Sequence, residues 1–259
     1  MNTQDLFSLK GRTALVTGGS RGIGRMIAAG FLAQGARVYI SSRKAAACEA
    51  TARELSALGE CIALPFDVSD VAGAQALAAA YTTREDGLDI LVNNAGAAWG
   101  APFDEFPEAG WDKVVDLNLK SPFFLTQALA PALRRAVARH DRPAKVIHIA
   151  SIDGISVNPW ETYSYAASKA GLIHLTRRMA VRLAPERIVV SAIAPGPFAS
   201  EMNREARDHA DEVARHVPAG RIGEDEDMAA AAIYLASRGG DYVVGNTLVV
   251  DGGVTLMRS

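Results

Sequence analysis

Arg12-Thr13-Ala14-Leu15-Val16-Thr17-Gly18-Gly19-Ser20-Arg21-Gly22-Ile23-Gly24 begins as an apolar, partly β-branched run and then breaks into glycines. The first six residues predict a buried strand. Beyond the glycines, Ile23, Ile27 and Phe31 recur at helical spacing as far as Gly35, a helix stop. Strand, glycine-rich turn and helix make the opening of a dinucleotide-binding βαβ unit. Glycine lets the backbone turn tightly and approach a pyrophosphate, and the helix N-terminus offers it free N–H groups and a positive dipole end. The spacing Gly18-x-x-x-Gly22-x-Gly24 differs from the commoner G-x-G-x-x-G. The inference therefore rests on where the cluster stands, between a strand and a helix.

Working outward, residues 36–41 predict the second strand. An NAD site places an acid at its end to hold the ribose 2′-OH; here stand Ser41, Ser42 and Arg43. Arg43 can clamp a 2′-phosphate with its forked donors, Ser42 can hydrogen-bond it, and Arg21 can approach from the glycine loop. This favours NADP(H) over NAD(H). A helix over 44–58 and a third strand over 61–66 follow, then Asp67, which either bonds the adenine amino group or simply forms a turn. Ser69 is the expected N-cap of the next helix. Residues 88–92 predict the fourth strand, and Asn93-Asn94-Ala95-Gly96 puts small residues where a ligand would lie against backbone.

Residues 104–137 read as one long helical region. Leu125, Leu129 and Leu133 form one buried stripe and Trp111, Val114 and Val115 another. Asn118 interrupts the pattern and Pro122 follows, which predicts a distortion that frees backbone groups. Residues 145–150 are the fifth strand, with Ser151 at the C-terminal end where open parallel sheets bind ligands. The next helix carries Tyr165 and, one turn on, Lys169. A cation near a phenol lowers a pKa that is otherwise near ~10, so the pair can trade protons near neutrality. Residues 187–193 and 247–251 are the last strands, and the charge-rich stretch at about 197–226 is a candidate substrate lid. Alternation throughout predicts an α/β, doubly wound Rossmann fold: one parallel sheet of about seven strands, helices on both faces, a single domain over 1–259.

The net charge of −2 over 259 residues argues against nucleic acid and membrane as partners. Only the run Arg134, Arg135, Arg139, Arg142 and Lys145 is locally basic, and it reads as a solvated helix end. Two cysteines, with no signal-like pattern in Met1–Asp5, predict a reducing, cytoplasmic setting. The five histidines lack ligand spacing, so no metal is expected.

Thr17-Gly18-x-x-x-Gly22-x-Gly24, Asp67, Asn93-Asn94-Ala95-Gly96, Asn118, Ser151, Tyr165-x-x-x-Lys169, Pro195-Gly196 and Asp251-Gly252-Gly253 come in the order and spacing of the short-chain dehydrogenase/reductase family. The chain resembles that family over nearly its whole length. It is most similar to the 3-oxoacyl-carrier-protein reductase branch, of the rhamnolipid-associated ketoacyl type, through Ala98-Trp99-Gly100 and the 14-residue step from Ser151 to Tyr165. The resemblance implies a catalytic set of Asn118, Ser151, Tyr165 and Lys169. Tyr165 is then the general acid in carbonyl reduction, Lys169 lowers its pKa and holds the nicotinamide ribose, Ser151 bonds the substrate oxygen, and Asn118 holds the distorted helix and a water. The implied cofactor set is Gly18, Ser20, Arg21, Gly22, Ile23, Gly24, Ser42, Arg43, Asp67, Val68, Asn94, Ala95, Gly96, Tyr165, Lys169, Pro195, Gly196, Phe198 and Ser200. Ser200 replaces the family's usual Thr and keeps the hydroxyl. A homotetramer or homodimer is also implied.

Two substrates compete: a 3-oxoacyl thioester, with an acyl carrier protein as a partner, and a free ketone or secondary alcohol such as a sugar, steroid or small xenobiotic. Trp99, Trp160 and Phe198 are candidate pocket walls. An acidic carrier would need a basic patch, for which Arg204, Arg207, Arg215 and Arg221 are candidates, interleaved with acids. A non-catalytic cofactor sensor would show a broken catalytic set, and the set is whole.

Overall fold

All five residues of β1 (Thr13–Thr17) are buried, as the apolar run requires. The computed structural model describes residues 3–257; Met1, Asn2, Arg258 and Ser259 of the expected 1–259 span lie outside the described residues. Around β1 the order is α1 (Thr3–Phe7), α2 (Gly22–Ala33), β2 (Arg37–Ser41), α3 (Ala45–Leu55), β3 (Cys61–Ala63), α4 (Val71–Thr82) and β4 (Ile90–Asn93). Then come α5 (Glu108–Val115), α6 (Ser121–His140), β5 (Ala144–Ile149), α7 (Tyr163–Leu183) and β6 (Ile188–Pro195). The chain closes with α8 (Arg204–Asp208), α9 (Ala210–Ala214), α10 (Asp225–Ala236), β7 (Thr247–Val250) and α11 (Val254–Met257).

The seven strands pair in parallel in the order β3-β2-β1-β4-β5-β6-β7. Successive strand residues face opposite sides, so the sheet feeds two cores. Val16 packs with Ile27, Phe31, Met228 and Leu235 of α2 and α10. Leu15 packs with Leu77, Leu129, Val146 and Met179, the side of α4, α6 and α7. The strand order reverses between β1 and β4, where a doubly wound sheet opens a crevice at its carboxyl edge.

Gly35 ends α2 as expected. Its φ is +84°, its N–H donates to the Leu32 carbonyl at 2.9 Å and that of Ala36 to Phe31 at 3.0 Å, the two bonds of a Schellman stop. Elsewhere the elements depart from the sequence reading. The third strand stops at Ala63: Leu64 still donates to the Ile40 carbonyl at 2.8 Å, but Pro65 has no N–H to continue the ladder. Asp70, not Ser69, caps α4, accepting from the Gly73 N–H at 2.7 Å. The long helical region divides into a turn at Phe103–Glu105, α5, a π-type turn at Asp116–Lys120, and α6. A regular helix would need Pro122 to donate to the Asn118 carbonyl, which proline cannot do. The Ser121 N–H reaches back five residues to Asp116 instead. On α5 Val114 is fully buried, but Trp111 is 42% exposed, so the expected second stripe is only partly covered. In the basic run, Lys145 is buried with its ammonium 2.7 Å from Asp241, rather than solvated.

Candidate active site

The carboxyl ends of the strands open into one cleft of about 1150 Å³. Thr17, at the end of β1, ties the reversal point together. Its hydroxyl accepts the backbone N–H groups of Asn94 and Ala95, each at 3.0 Å, and donates to the Val92 carbonyl at 3.3 Å. Asn94 returns the contact, donating from Nδ2 to the Thr17 carbonyl at 2.9 Å. Asn94, Ala95 and Gly96 thus stand against the glycine loop, and all three line the cleft with Gly18, Ser20, Arg21, Gly22 and Ile23. Gly18 and Gly22 have φ of +65° and +51°, where a side chain would be strained. Gly24 stands behind the wall rather than in it. A Cβ there would lie 2.4 Å from the Gly18 carbonyl oxygen, so its glycine serves loop packing.

At one end of the cleft the lining includes Ser41, Ser42, Arg43, Asp67 and Val68. The Ser42 hydroxyl is buried without a hydrogen-bond partner among the described residues, and a buried polar atom left so is costly unless a ligand reaches it. Arg21 and Arg43 make no ion pair with any described residue. Two guanidinium groups without an ion pair among the described residues and an orphan hydroxyl fit the 2′-phosphate of NADP(H), and Ser41-Ser42-Arg43 at the end of β2 puts no acid where a free 2′-OH would be held. Asp67 lines the cleft and also forms a turn, accepting the Ser69 N–H at 3.0 Å.

Ser151, Tyr165 and Lys169 line the same cleft, as do Pro195, Gly196, Phe198 and Ser200 at and beyond the end of the adjacent strand β6. Ser151 caps a short turn by accepting the Asp153 N–H at 3.2 Å. Lys169, buried, donates to the Ile149 carbonyl at 2.7 Å, and its Nζ lies 5.5 Å from the centre of the Tyr165 ring. Burial lowers the Lys169 ammonium to about 8. Burial also raises the Tyr165 phenol to about 12, with hydrogen bonding from Ser151 pulling it down and the Asp153 charge pushing it up. Contrary to the sequence reading, Lys169 does not lower it here: the ammonium is lost at about 8, before a phenol at about 12 ionises, and desolvation of the phenol dominates. Asn118 lies behind the cleft. It is buried, receives the Ala97 N–H at 2.8 Å, and donates from Nδ2 to the Ala97 carbonyl at 2.9 Å and to Ser168 Oγ at 3.1 Å. It joins the π-type turn to the helix of Tyr165 and Lys169.

The aromatic expectations divide. Trp160 lines the cleft and is 59% exposed; Phe198 lines it too, though its ring is packed on Gly223. Trp99 is outside the lining, laid on Gly110 with the Lys113 ammonium 5.1 Å from its ring. Tyr163 is held by Glu161 at 2.9 Å and by the edges of Phe103 and Phe106, also outside it. Residues 197–226 include α8 and α9 and carry Met202, Arg204, His216 and Val217 into the lining. Of the expected basic patch, Arg207 is tied to Glu201 and Asp208 and Arg221 to Asp227. Sequence reasoning passed over Asp153, Met202 and Met257, which line the cleft. Only the position of Asp153, two residues past Ser151, marked it. Among the described residues no three His, Cys, Asp or Glu side chains converge to hold a metal ion, and no helix is long and apolar enough to cross a membrane.

Residues 18–255 match the family described as enoyl-(acyl carrier protein) reductase. The rhamnolipids biosynthesis 3-oxoacyl-[acyl-carrier-protein] reductase of Pseudomonas aeruginosa is 49% identical over 253 residues, covering 96% of this chain and 98% of that protein. A solved structure of Pseudomonas aeruginosa RhlG, an active-site complex with NADP, superposes with a TM-score of 0.93 at 48% identity, covering 98% of this chain and all of that one. Gluconate 5-dehydrogenase of Gluconobacter oxydans is 35% identical, over 99% of each chain. The strand order, the cleft at its reversal point and similarity along almost the entire length lead to one conclusion: the chain belongs to the short-chain dehydrogenase/reductase family of oxidoreductases.

Proposed function

We propose that this chain is an NADPH-dependent reductase converting a ketone to a secondary alcohol, with a 3-oxoacyl thioester as its substrate. The observation that carries the reading is that Ser151, Tyr165 and Lys169 line the same cleft as the orphan Ser42 hydroxyl and the unpaired Arg21 and Arg43. Arg21, Ser42 and Arg43 hold the 2′-phosphate, the loop Gly18–Gly24 the pyrophosphate, Asp67 and Val68 the adenine, Asn94–Gly96 the adenosine ribose, and Pro195, Gly196, Phe198 and Ser200 the nicotinamide end. When bound, NADPH supplies the hydride. The protein's own work is positional and electrostatic. Ser151 donates a hydrogen bond to the carbonyl oxygen where negative charge gathers, and Tyr165 gives that oxygen its proton. Lys169 places a positive charge beneath the phenol and anchors the cofactor ribose. Asn118 fixes the helix that presents both.

The thioester is supported by the acyl-carrier-protein reductase at 49% identity. The runner-up, a free ketone or secondary alcohol, is supported by the gluconate dehydrogenase at 35%. Docking of an acyl carrier protein would fall to Arg204 and Arg215, since Arg207 and Arg221 are already paired. The remaining parts of the reading are one domain over 1–259, a lid at 197–226, a homotetramer or homodimer, and a cytoplasmic location. Following NADPH absorbance with acetoacetyl thioesters against a panel of free ketones, sugars and steroids tests the reading. Turnover of the thioester at least tenfold above every free ketone is expected, and the reverse order selects the runner-up.

A further inference from the structure

Trp160, Met202 and Met257 line the cleft and are 59%, 50% and 66% exposed. They stand on the segments that follow β5, β6 and β7, three strands adjacent in the sheet. Arg21, Arg43 and Asp67 follow β1, β2 and β3, so the three large apolar side chains lie on the other half of the sheet from the proposed phosphate seat. Ile152, Val217 and Val254 are buried against one another and tie the same three segments together, and Ile152 is the residue next to Ser151. The helix that carries Met257 is itself held. The Asp251 carboxylate accepts the N–H groups of Gly253 at 2.8 Å and Thr255 at 2.7 Å, and the Ala219 N–H donates to the Gly252 carbonyl at 3.0 Å. Charged lining groups of these segments are of both signs, Lys169 and Arg204 against Asp153, Glu201, Glu205 and Glu212. What Trp160, Met202 and Met257 share is apolar surface open to the cleft, and a ligand that covers it removes that surface from water.

We propose that Trp160, Met202 and Met257 form a subsite for an unbranched apolar chain carried by the ketone. The inference rests on the reductase reading and names the substituent that its substrate bears, whether thioester or free ketone. The reacting carbonyl lies by Ser151, and the chain runs from there past Ile152 to the three exposed side chains. Methionine is unbranched and polarizable, so two of them adapt to chains of different length. Each methylene that such a wall takes out of water raises kcat/KM by about two- to fourfold.

The test uses 2-pentanone, 2-heptanone and 2-nonanone, which carry no thioester, with NADPH saturating. From the first to the last, kcat/KM is expected to rise on the order of 50-fold, mostly through KM. Met202→Ser with Met257→Ser should cut the ratio of 2-nonanone to 2-pentanone about tenfold, and Met202→Leu with Met257→Leu should keep it. A merely structural role would lower both ketones together and leave the ratio alone. A flat series with the native protein, or a ratio untouched in the serine variant, overturns the inference. A steep series beside inert acetoacetyl thioesters removes the thioester and keeps the subsite. If no ketone is turned over, calorimetric titration decides. Binding of 2-nonanone at least about tenfold tighter than 2-pentanone, lost in the serine variant, removes the reductase reading and keeps the subsite; equal binding removes both.

Discussion

Lys169 donates to the Ile149 carbonyl at 2.7 Å, which seats its ammonium at the end of strand β5, 5.5 Å from the centre of the Tyr165 ring. That bond explains how a buried lysine keeps a fixed position in a site where its charge is costly. It also sets the pH behaviour. In the proposed mechanism, ketone reduction needs Tyr165 protonated and Lys169 charged. The phenol, raised to about 12, is protonated throughout the ordinary range, whereas the ammonium is lost through about 8. The kcat for reduction is therefore expected to be flat below about pH 7 and to fall as pH rises through 8, read from a pH–rate profile with NADPH saturating.

The same lysine leaves a signature in stability. Its folded pKa is about 8 against an ordinary 10.5. Between those values the unfolded chain binds more protons than the folded one, so this group makes stability rise with pH. Below 8 its burial cost is present in full; above 10.5 it is gone. Lys169→Met should remove a slope worth on the order of 3 kcal/mol across that window. Parallel urea titrations of the two proteins at pH 7.5 and 10.5 measure it, and parallel pH dependence would contradict it.

Tyr165→Phe should lower turnover by about 10³-fold while NADPH still quenches tryptophan fluorescence, because only the proton donor is removed. Turnover within tenfold of native would take the acid role from Tyr165.

Arg43→Ala should raise the KM for NADPH by about tenfold or more and leave that for NADH little changed, the cost of one charge-assisted contact to the 2′-phosphate. Equal changes for both cofactors would mean that Arg43 reads no phosphate.

Asn118→Ala deletes three hydrogen bonds of a buried side chain and leaves the Ala97 N–H and carbonyl without those partners. A loss of about 2–4 kcal/mol is expected, seen as a Tm lower by roughly 5–10 °C. A Tm within about 1 °C of native would mean that the π-type turn holds itself.

Much of this was legible in the chain because a parallel sheet buried on both faces writes its strands as continuous apolar runs. The residues of β1, β5 and β6 are buried without exception. The distortion at Asn118 was legible because proline's missing N–H is a local fact. What escaped depends on partners. Whether Ser69 or Asp70 caps α4 turns on which residue adopts the extended φ of −132° and ψ of 174°, a choice made by the backbone arriving from Asp67. Periodicity marks Trp111 as sharing a face with Val114 but not whether anything covers it. The phenol's raised pKa depends on desolvation, a property of the whole cleft. Gly73 carried no signal at all, yet a Cβ there would sit 1.8 Å from the Asp67 carbonyl oxygen, so α4 presses directly on the cleft's rim.

The Thr17 hydroxyl, with its bonds to Asn94 and Ala95, also has a consequence in time. Strands β1 to β3 lie within residues 13–63 and can pair from local chain, but Leu15 meets Leu91 only after a long loop has closed. Long-range parallel pairing of this kind comes late in folding. The crevice lies at that seam, so a refolding chain should regain most of its helical signal before it can first hold a nucleotide.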